Sequence, residues 1–234
     1  MNDETQVISL LQSLAAQYNA TEYFVEDPIS FPKHFYELYL DGKASLCDIE
    51  CAAVIAAHLA WGRRDMIVRD CNRAMDEMGW SPYEYVMHGV FRDDATSLHR
   101  TVMWKDFAGI CERLRRFYSD NSSLEVLSAS QMRVMVYGQK EDPAAANKKI
   151  HMMRRWMVRD DGIVDLGVWK SIQKRDLLIP LDVHVHRSAL NLGITSRKAA
   201  DYKTAREITD FLLKVFPDDP CLGDFALFAA SCVK

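Results

Sequence analysis

Three observations predict an all-α fold for this chain. Apolar residues recur at helical spacing along most of its length, strict alternation never runs beyond a few residues, and βαβ spacing is absent. Caps and breakers then divide the chain into roughly ten short helices.

Val7, Leu10, Leu11 and Leu14 form the apolar stripe of a first helix ending near Tyr18-Asn19. Asp27-Pro28-Ile29-Ser30-Phe31-Pro32 reads as an extended connector, because each proline pushes its predecessor out of the helical region. An aromatic helix from Pro32 to Tyr39 follows, closed by Asp41-Gly42. Ser45 and Asp48 resemble a capping box opening a helix through Ala52, Ile55, Ala56 and Leu59. That helix is apolar almost all round and therefore central. Trp61-Gly62-Arg63-Arg64 turns into a helix from Asp65 to Met78, and Ser81-Pro82 starts a short one to about His88. Phe91 to Leu98 is a polar connection before a helix from Trp104 to Tyr118. Short helices are expected after Ser122-Ser123-Leu124 and from Gln131 to Tyr137. The polar stretch from Gly138 feeds a helix from about Pro143 to Val158, and Asp160-Asp161-Gly162 is a turn. Leu177 to Ile179 is extended and leads to a helix in which Pro180 takes the first position. Leu181, Val185, Ala189 and Leu192 give that helix its buried stripe, and Gly193 offers a left-handed stop. Tyr202 to Phe216 and Cys221 to Cys232, separated by Pro217-Asp218-Asp219-Pro220, complete the set.

The 234 residues suffice for a core without metal or disulfide staples, in one domain or two packed lobes. The composition, 49% hydrophobic and 26% charged, is that of a soluble globular protein. A formal charge of −4 argues against a protein that coats nucleic acid non-specifically, while leaving room for a local basic patch. The six cysteines, Cys47, Cys51, Cys71, Cys111, Cys221 and Cys232, form no C-x-x-C and read as buried free thiols of a reduced cytoplasm. No C-terminal cysteine cluster supports an iron–sulfur centre, and no cofactor is expected. Met1-Asn2-Asp3-Glu4 is acidic, unlike a targeting peptide, and the apolar run Cys51 to Trp61 is too short to span a bilayer. A cytoplasmic protein with no membrane partner is the expectation.

Asp182 stands in the first turn of its helix, where the dipole favours a carboxylate. Read as a strand, Asp182-x-His184-x-His186 would present three ligands on one face, as a metallohydrolase needs. Read as a helix, Asp182 and His186 share a face and His184 points away; the apolar spacing favours the helix, and no metal site is expected. A plain cap at Asp182 with a surface His186 stays open. Lys148 and Lys149 precede the apolar helical stretch Ile150, Met152, Met153, Trp156 and Met157. Near the start of a partly buried helix, the dipole and desolvation both disfavour an ammonium, which frees an amine as a nucleophile; solvated surface lysines are the plain alternative. Arg154, Arg155 and Arg159 on the same helix are candidates for phosphate contact. Trp61 beside Arg63 and Arg64 fits an aromatic platform with a basic loop, although a tryptophan at a helix end is more often core. Phe35 and Tyr36 carry the same ambiguity.

Asp27-Pro-Ile-Ser-Phe-Pro32, Ala60-Trp-Gly-Arg63, Ser81-Pro-Tyr83, His99-Arg-Thr101, Arg155-Trp-Met-Val-Arg159, Val168-Trp-Lys-Ser171, Ile179-Pro-Leu-Asp-Val-His184 and Asp224-Phe-Ala-Leu-Phe228 together resemble a bacterial family catalogued as a domain of unknown function. The C-terminal half also resembles the helix-hairpin-helix (HhH-GPD) DNA glycosylases, the archaeal 8-oxoguanine enzymes being closest in layout. The resemblance implies a two-lobed helical fold with a cleft between lobes, one lobe spanning roughly residues 40–140 and the other the N-terminal segment plus 141–234. It implies base excision, with lyase activity, from double-stranded DNA carrying a damaged base, most readily an oxidised purine. Asp182 is then the catalytic aspartate, and Lys148 or Lys149 the catalytic lysine, with Lys148 favoured. His184 and His186 hold a loop or a phosphate, and Trp61, Arg63, Arg64 and Arg155 contact DNA. The chain departs from the pattern: the Leu-Pro-Gly-x-Gly hairpin that holds a phosphate is missing, since Tyr137 to Asn147 contains only Gly138, no iron–sulfur cysteines follow, and the overall charge is acidic. A catalytically silent helical module, binding nucleic acid or a protein partner, is the alternative that this departure supports.

Overall fold

A computed structural model describes residues 3–232, apart from the side chain of Cys232. Met1, Asn2 and the Cys232 thiol, on which two of the expectations touch, lie outside the described residues. In chain order the α-helices are α1 (Glu4–Tyr18), α2 (Ser30–Leu40), α3 (Leu46–Leu59), α4 (Arg64–Glu77), α5 (Pro82–His88), α6 (Trp104–Tyr118), α7 (Ala129–Met135), α8 (Lys148–Val158), α9 (Val183–Asn191), α10 (Tyr202–Val215) and α11 (Leu222–Cys232). The chain is therefore mostly helical. It has one small sheet among the described residues, an antiparallel pair β1 (Ser97–His99) and β2 (Val102–Met103), which starts at the end of the stretch read as a polar connection and runs up to α6. No described helix is long and apolar enough to cross a membrane.

The backbone divides into two compact units, one continuous from Phe24 to Glu141 and one discontinuous, built of the chain up to Tyr23 and from Asp142 onward. In the continuous unit α3 is central, with every residue from Ile49 to Ala57 buried. The Ser45–Asp48 capping box opens it, each side chain accepting from the other residue's amide at 3.2 and 2.8 Å. Helices α2 and α4 both pack against α3, and Phe35, Val54, Ile55, Cys71 and Met75 on these helices are buried. The one carboxylate on α3 that is wholly buried, Glu50, accepts from Tyr118 Oη, Ser123 Oγ and the Leu124 amide at 2.8, 2.6 and 3.0 Å, which offsets its desolvation. Helix α2 starts two residues earlier than expected, at Ser30. Pro32 then falls at its third position, where no intrahelical N–H is required.

In the discontinuous unit, α11 packs against both α1 and α9, and Leu11, Val185, Ala189, Ala226 and Leu227 are buried. Helix α8 begins at Lys148 instead of Pro143. Asn147 is left-handed, with φ 48°, and the preceding loop is occupied elsewhere, Ala144 O accepting from the Tyr202 amide at 2.8 Å. The five cysteines whose side chains are described are free thiols.

Candidate functional site

Helix α9 is one turn shorter at its start than the sequence reading, and this changes what Asp182 does. Pro180 lies in extended chain, and Asp182 is the N-cap: its Oδ1 accepts from the amides of His184 and Val185, both at 2.9 Å. Two orphan N–H groups and the positive helix end hold the carboxylate in place from one side, and Oδ2 is not used by either amide. The buried stripe is as expected for Leu181, Val185 and Ala189, and Gly193 takes φ 74° beyond the helix end.

The two histidines diverge. His186 is buried, with Nε2 2.8 Å from Arg197 O, so it fastens the chain that follows α9. His184 is exposed, with Nδ1 3.3 Å from an Arg187 guanidinium nitrogen and 3.4 Å from Ser231 Oγ. No cluster of histidine, cysteine and carboxylate suited to a metal occurs among the described residues.

Lys148 is the first residue of α8 and half-buried, as is Lys149. What relates a lysine to Asp182 is a third residue, Asp224, in the first turn of α11. Burial is the main cause that pushes the Asp224 carboxyl up to about 6, against the pull of Arg155, whose guanidinium nitrogen lies 2.8 Å away. The Asp182 charge raises it further and the Lys148 charge lowers it. The charges of Asp182 and Lys148 thus both reach the Asp224 carboxyl.

Arg155 corrects the sequence reading. It is buried, not presented to a phosphate: Nε lies 3.3 Å from Asp165, the other end holds Asp224, and the guanidinium sits 4.6 Å from the Phe225 ring. One turn on, fully buried Arg159 pairs with Asp219 at 2.9 Å, Asp161 at 3.1 Å and Asp165. Arg155 in the last turn of α8 and Arg159 at its C-cap thus both reach carboxylates, from the 161–165 loop, the turn before α11 and the first turn of α11. Arg154 is the half-exposed arginine of that helix.

In the continuous unit Trp61 is 38% exposed. Arg63 pairs with Asp65 through two bonds of 3.1 and 2.7 Å, and Arg64 lies 3.8 Å from Asp27. Under this loop sits a pair the sequence reading passed over. His99, wholly buried, has Nδ1 2.8 Å from Asp70 Oδ2 and Nε2 2.9 Å from Trp61 O. Burial pushes the Asp70 carboxyl up, but hydrogen bonds from Arg69, His99 and Arg73 outweigh it and hold the group below its ordinary range. The signal available in the sequence was the His99-Arg-Thr101 string; its partner, 29 residues away, left none. Phe35, like Asp70, is core; Tyr36 is half-exposed.

Comparison with protein families gives one described as "Protein of unknown function (DUF2400)", matching residues 27–142 and 129–232. The first match spans nearly all of the continuous unit, and the second begins within it, at residue 129, and runs through the C-terminal part of the discontinuous unit. Comparison with curated proteins and with solved structures gives no match, so no glycosylase enters by that route.

Proposed function

The chain belongs to the DUF2400 family, and from that premise we propose that it is a base-excision DNA glycosylase with lyase activity. Its substrate is double-stranded DNA with a damaged, flipped base, an oxidised purine first among the candidates. The observation that supports the reading is that the buried Asp224 carboxyl feels the charges of both Lys148 and Asp182, while Asp182 is fixed at the start of α9 by two backbone amides. Asp182, fixed by two backbone amides, takes the proton from the Lys148 amine or faces the positive charge that grows on the sugar. Lys148 Nζ then bonds to C1′ as the glycosidic C–N bond breaks, the electron pair leaving with the base. Asp224, able to hold a proton near neutrality, suits protonation of that leaving base. The C1′–O4′ bond then breaks with its electron pair going to O4′, which takes up the proton lost from Nζ, while the Nζ lone pair closes the C=N bond of the Schiff base from which strand scission follows.

Borohydride trapping on duplexes bearing oxidised, deaminated, alkylated or abasic sites tests this. The expected result is a trapped adduct that Lys148→Gln abolishes, Lys149→Gln retains and Asp182→Asn slows by roughly a hundredfold or more. Absence of trapping by the wild type on every substrate removes the lyase mechanism, and equal trapping by both lysine variants removes the assignment.

One observation favours a second reading, the catalytically silent module. The amides that a phosphate-binding hairpin would offer are used internally: Gly138 N donates to Val134 O at 3.1 Å and Gln139 N to Arg133 O at 3.0 Å, closing the end of α7. On this reading the folded wild type binds a duplex or a protein partner and yields no adduct and no base release.

A further inference from the structure

We infer that the Trp61–Arg100 surface of the continuous unit binds single-stranded or unpaired nucleic acid, a base stacking on the Trp61 indole and Arg100 holding an adjacent phosphate. This goes beyond excision chemistry, since it uses neither Lys148 nor Asp182 and requires no lesion. Arg100 lies exposed with its guanidinium 4.6 Å from the centre of the indole ring, and it has no carboxylate partner among the described residues. A guanidinium on an exposed indole is a contact that a base can replace, the freed fork then pairing with phosphate.

The support beneath is rigid. His99 joins Asp70 to the Trp61 carbonyl, and Arg73 ties the same aspartate to the carbonyls of Leu98 and Ser97 at 2.6 and 3.1 Å. One buried carboxylate thereby fixes both the turn carrying Trp61 and the hairpin carrying Arg100. Arg100 itself is left-handed, with φ 53°, an uncommon state for a side chain-bearing residue and one that surrounding structure must impose. Gly62 completes the fit. Its φ is 102°, and a Cβ there would stand 2.6 Å from an Arg100 guanidinium nitrogen. Around the platform, Arg63 is 76% and Arg69 61% exposed, a local gathering of arginine on a chain of net charge −4. Asp65 and Asp27 moderate that charge, which fits salt-sensitive binding. The flat exposed indole points to a base-bearing ligand; a phosphopeptide or an anionic membrane would engage the arginines without needing Trp61.

The test uses the full chain carrying Lys148→Gln and a fluorescein-labelled oligodeoxythymidine, with binding read by anisotropy across a salt series. The parent is expected to bind, Trp61→Ala to weaken binding roughly ten- to a hundredfold, and Trp61→Phe to keep most of it. Arg100→Gln should weaken binding and reduce the slope of log affinity against log salt by about 0.7. A folded parent that does not bind overturns the inference, as do Trp61→Ala and Arg100→Gln variants that bind like the parent. Binding to a phosphopeptide or to phosphatidylserine vesicles as tight as to the oligonucleotide overturns it too. If Trp61→Ala fails to fold, the exposed Arg100→Gln decides alone. Because Lys148 is absent throughout, a failed trapping experiment leaves this result standing, and a failed binding experiment leaves trapping untouched.

Discussion

The two units bury aspartate against arginine in opposite ways. In the discontinuous unit both arginines go inside with the acids: the side chains of Arg155 and Arg159 are 7% and 0% exposed, among Asp161, Asp165, Asp219 and Asp224. In the continuous unit only the acid is interior, Asp70, while Arg69 and Arg73 reach it from the surface. The closed cluster holds two cations and four carboxylates, more negative charge than the interior can carry. Burial accordingly pushes Asp165 and Asp224 up despite their arginines, which tends to return a proton to the group. The half-open cluster meets no such excess, and Asp70 stays ionised. The closed cluster spends its donors on the fold and raises two of its carboxyls, Asp165 and Asp224; the open one fixes a loop and leaves arginine N–H groups facing outward.

The largest effect that would sharpen this contrast comes from Arg159. Replacing it with leucine removes the cation paired with Asp219 and Asp161 and one of the two paired with Asp165, and the expected loss is about 3–5 kcal/mol in urea unfolding. A loss under about 1 kcal/mol would mean that the acids simply take up protons and that the cluster is not a structural clamp. In the other unit Asp70→Asn keeps the shape and one acceptor but removes the charge shared by Arg69, Arg73 and His99. The expected loss is about 2–3 kcal/mol by thermal unfolding, with the Trp61 loop becoming more open to proteolysis. Unchanged cleavage of that loop would separate the Asp70–His99 pair from the positioning of Trp61.

The contrast also explains what the sequence could disclose. Local signals were readable: the Ser45–Asp48 box opens α3, the Trp104–Tyr118 helix has the bounds its periodicity predicts, and Gly193 follows the end of α9. Two helix starts were misplaced because a proline suggested an earlier first turn. At Pro180 the two amides taken by Asp182 set the start instead, and before Lys148 the left-handed Asn147 did. The interior pairs were invisible, because their members are distant in sequence: Arg155 meets Asp224 across 69 residues and His99 meets Asp70 across 29. An arginine on an amphipathic helix gives no sign of whether its head goes to solvent or to such a partner. For the proposed site, caps and resemblance single out Asp182 and Lys148. Asp224 was not singled out, since an acid in the first turn of a helix is ordinary until it is buried.

Two buried histidines carry the same contrast down to pH. His99 has an acceptor at each ring nitrogen, whereas His151 Nδ1 has no hydrogen-bond partner among the described residues. Burial first, then the positive charges of Arg154 and Arg206, push His151 down to about 3. The unfolded chain therefore takes up this proton near pH 6.5 and the folded chain does not. Stability from neutral His151 is present above about pH 6.5 and is lost as pH falls toward 3, at about 1.4 kcal/mol per unit. Asp224 works the other way: its raised value means that the folded state binds its proton first, so acidification through about 6 adds stability from that group. The two effects oppose each other over much of the same range, and a single pH profile of the wild type would blur them. His151→Phe removes one arm. Relative to wild type, the variant should gain about 2 kcal/mol between pH 7.5 and pH 5, whatever its stability at neutral pH. Parallel profiles for the two proteins would show that water or a shift of the ring satisfies His151 when it is charged.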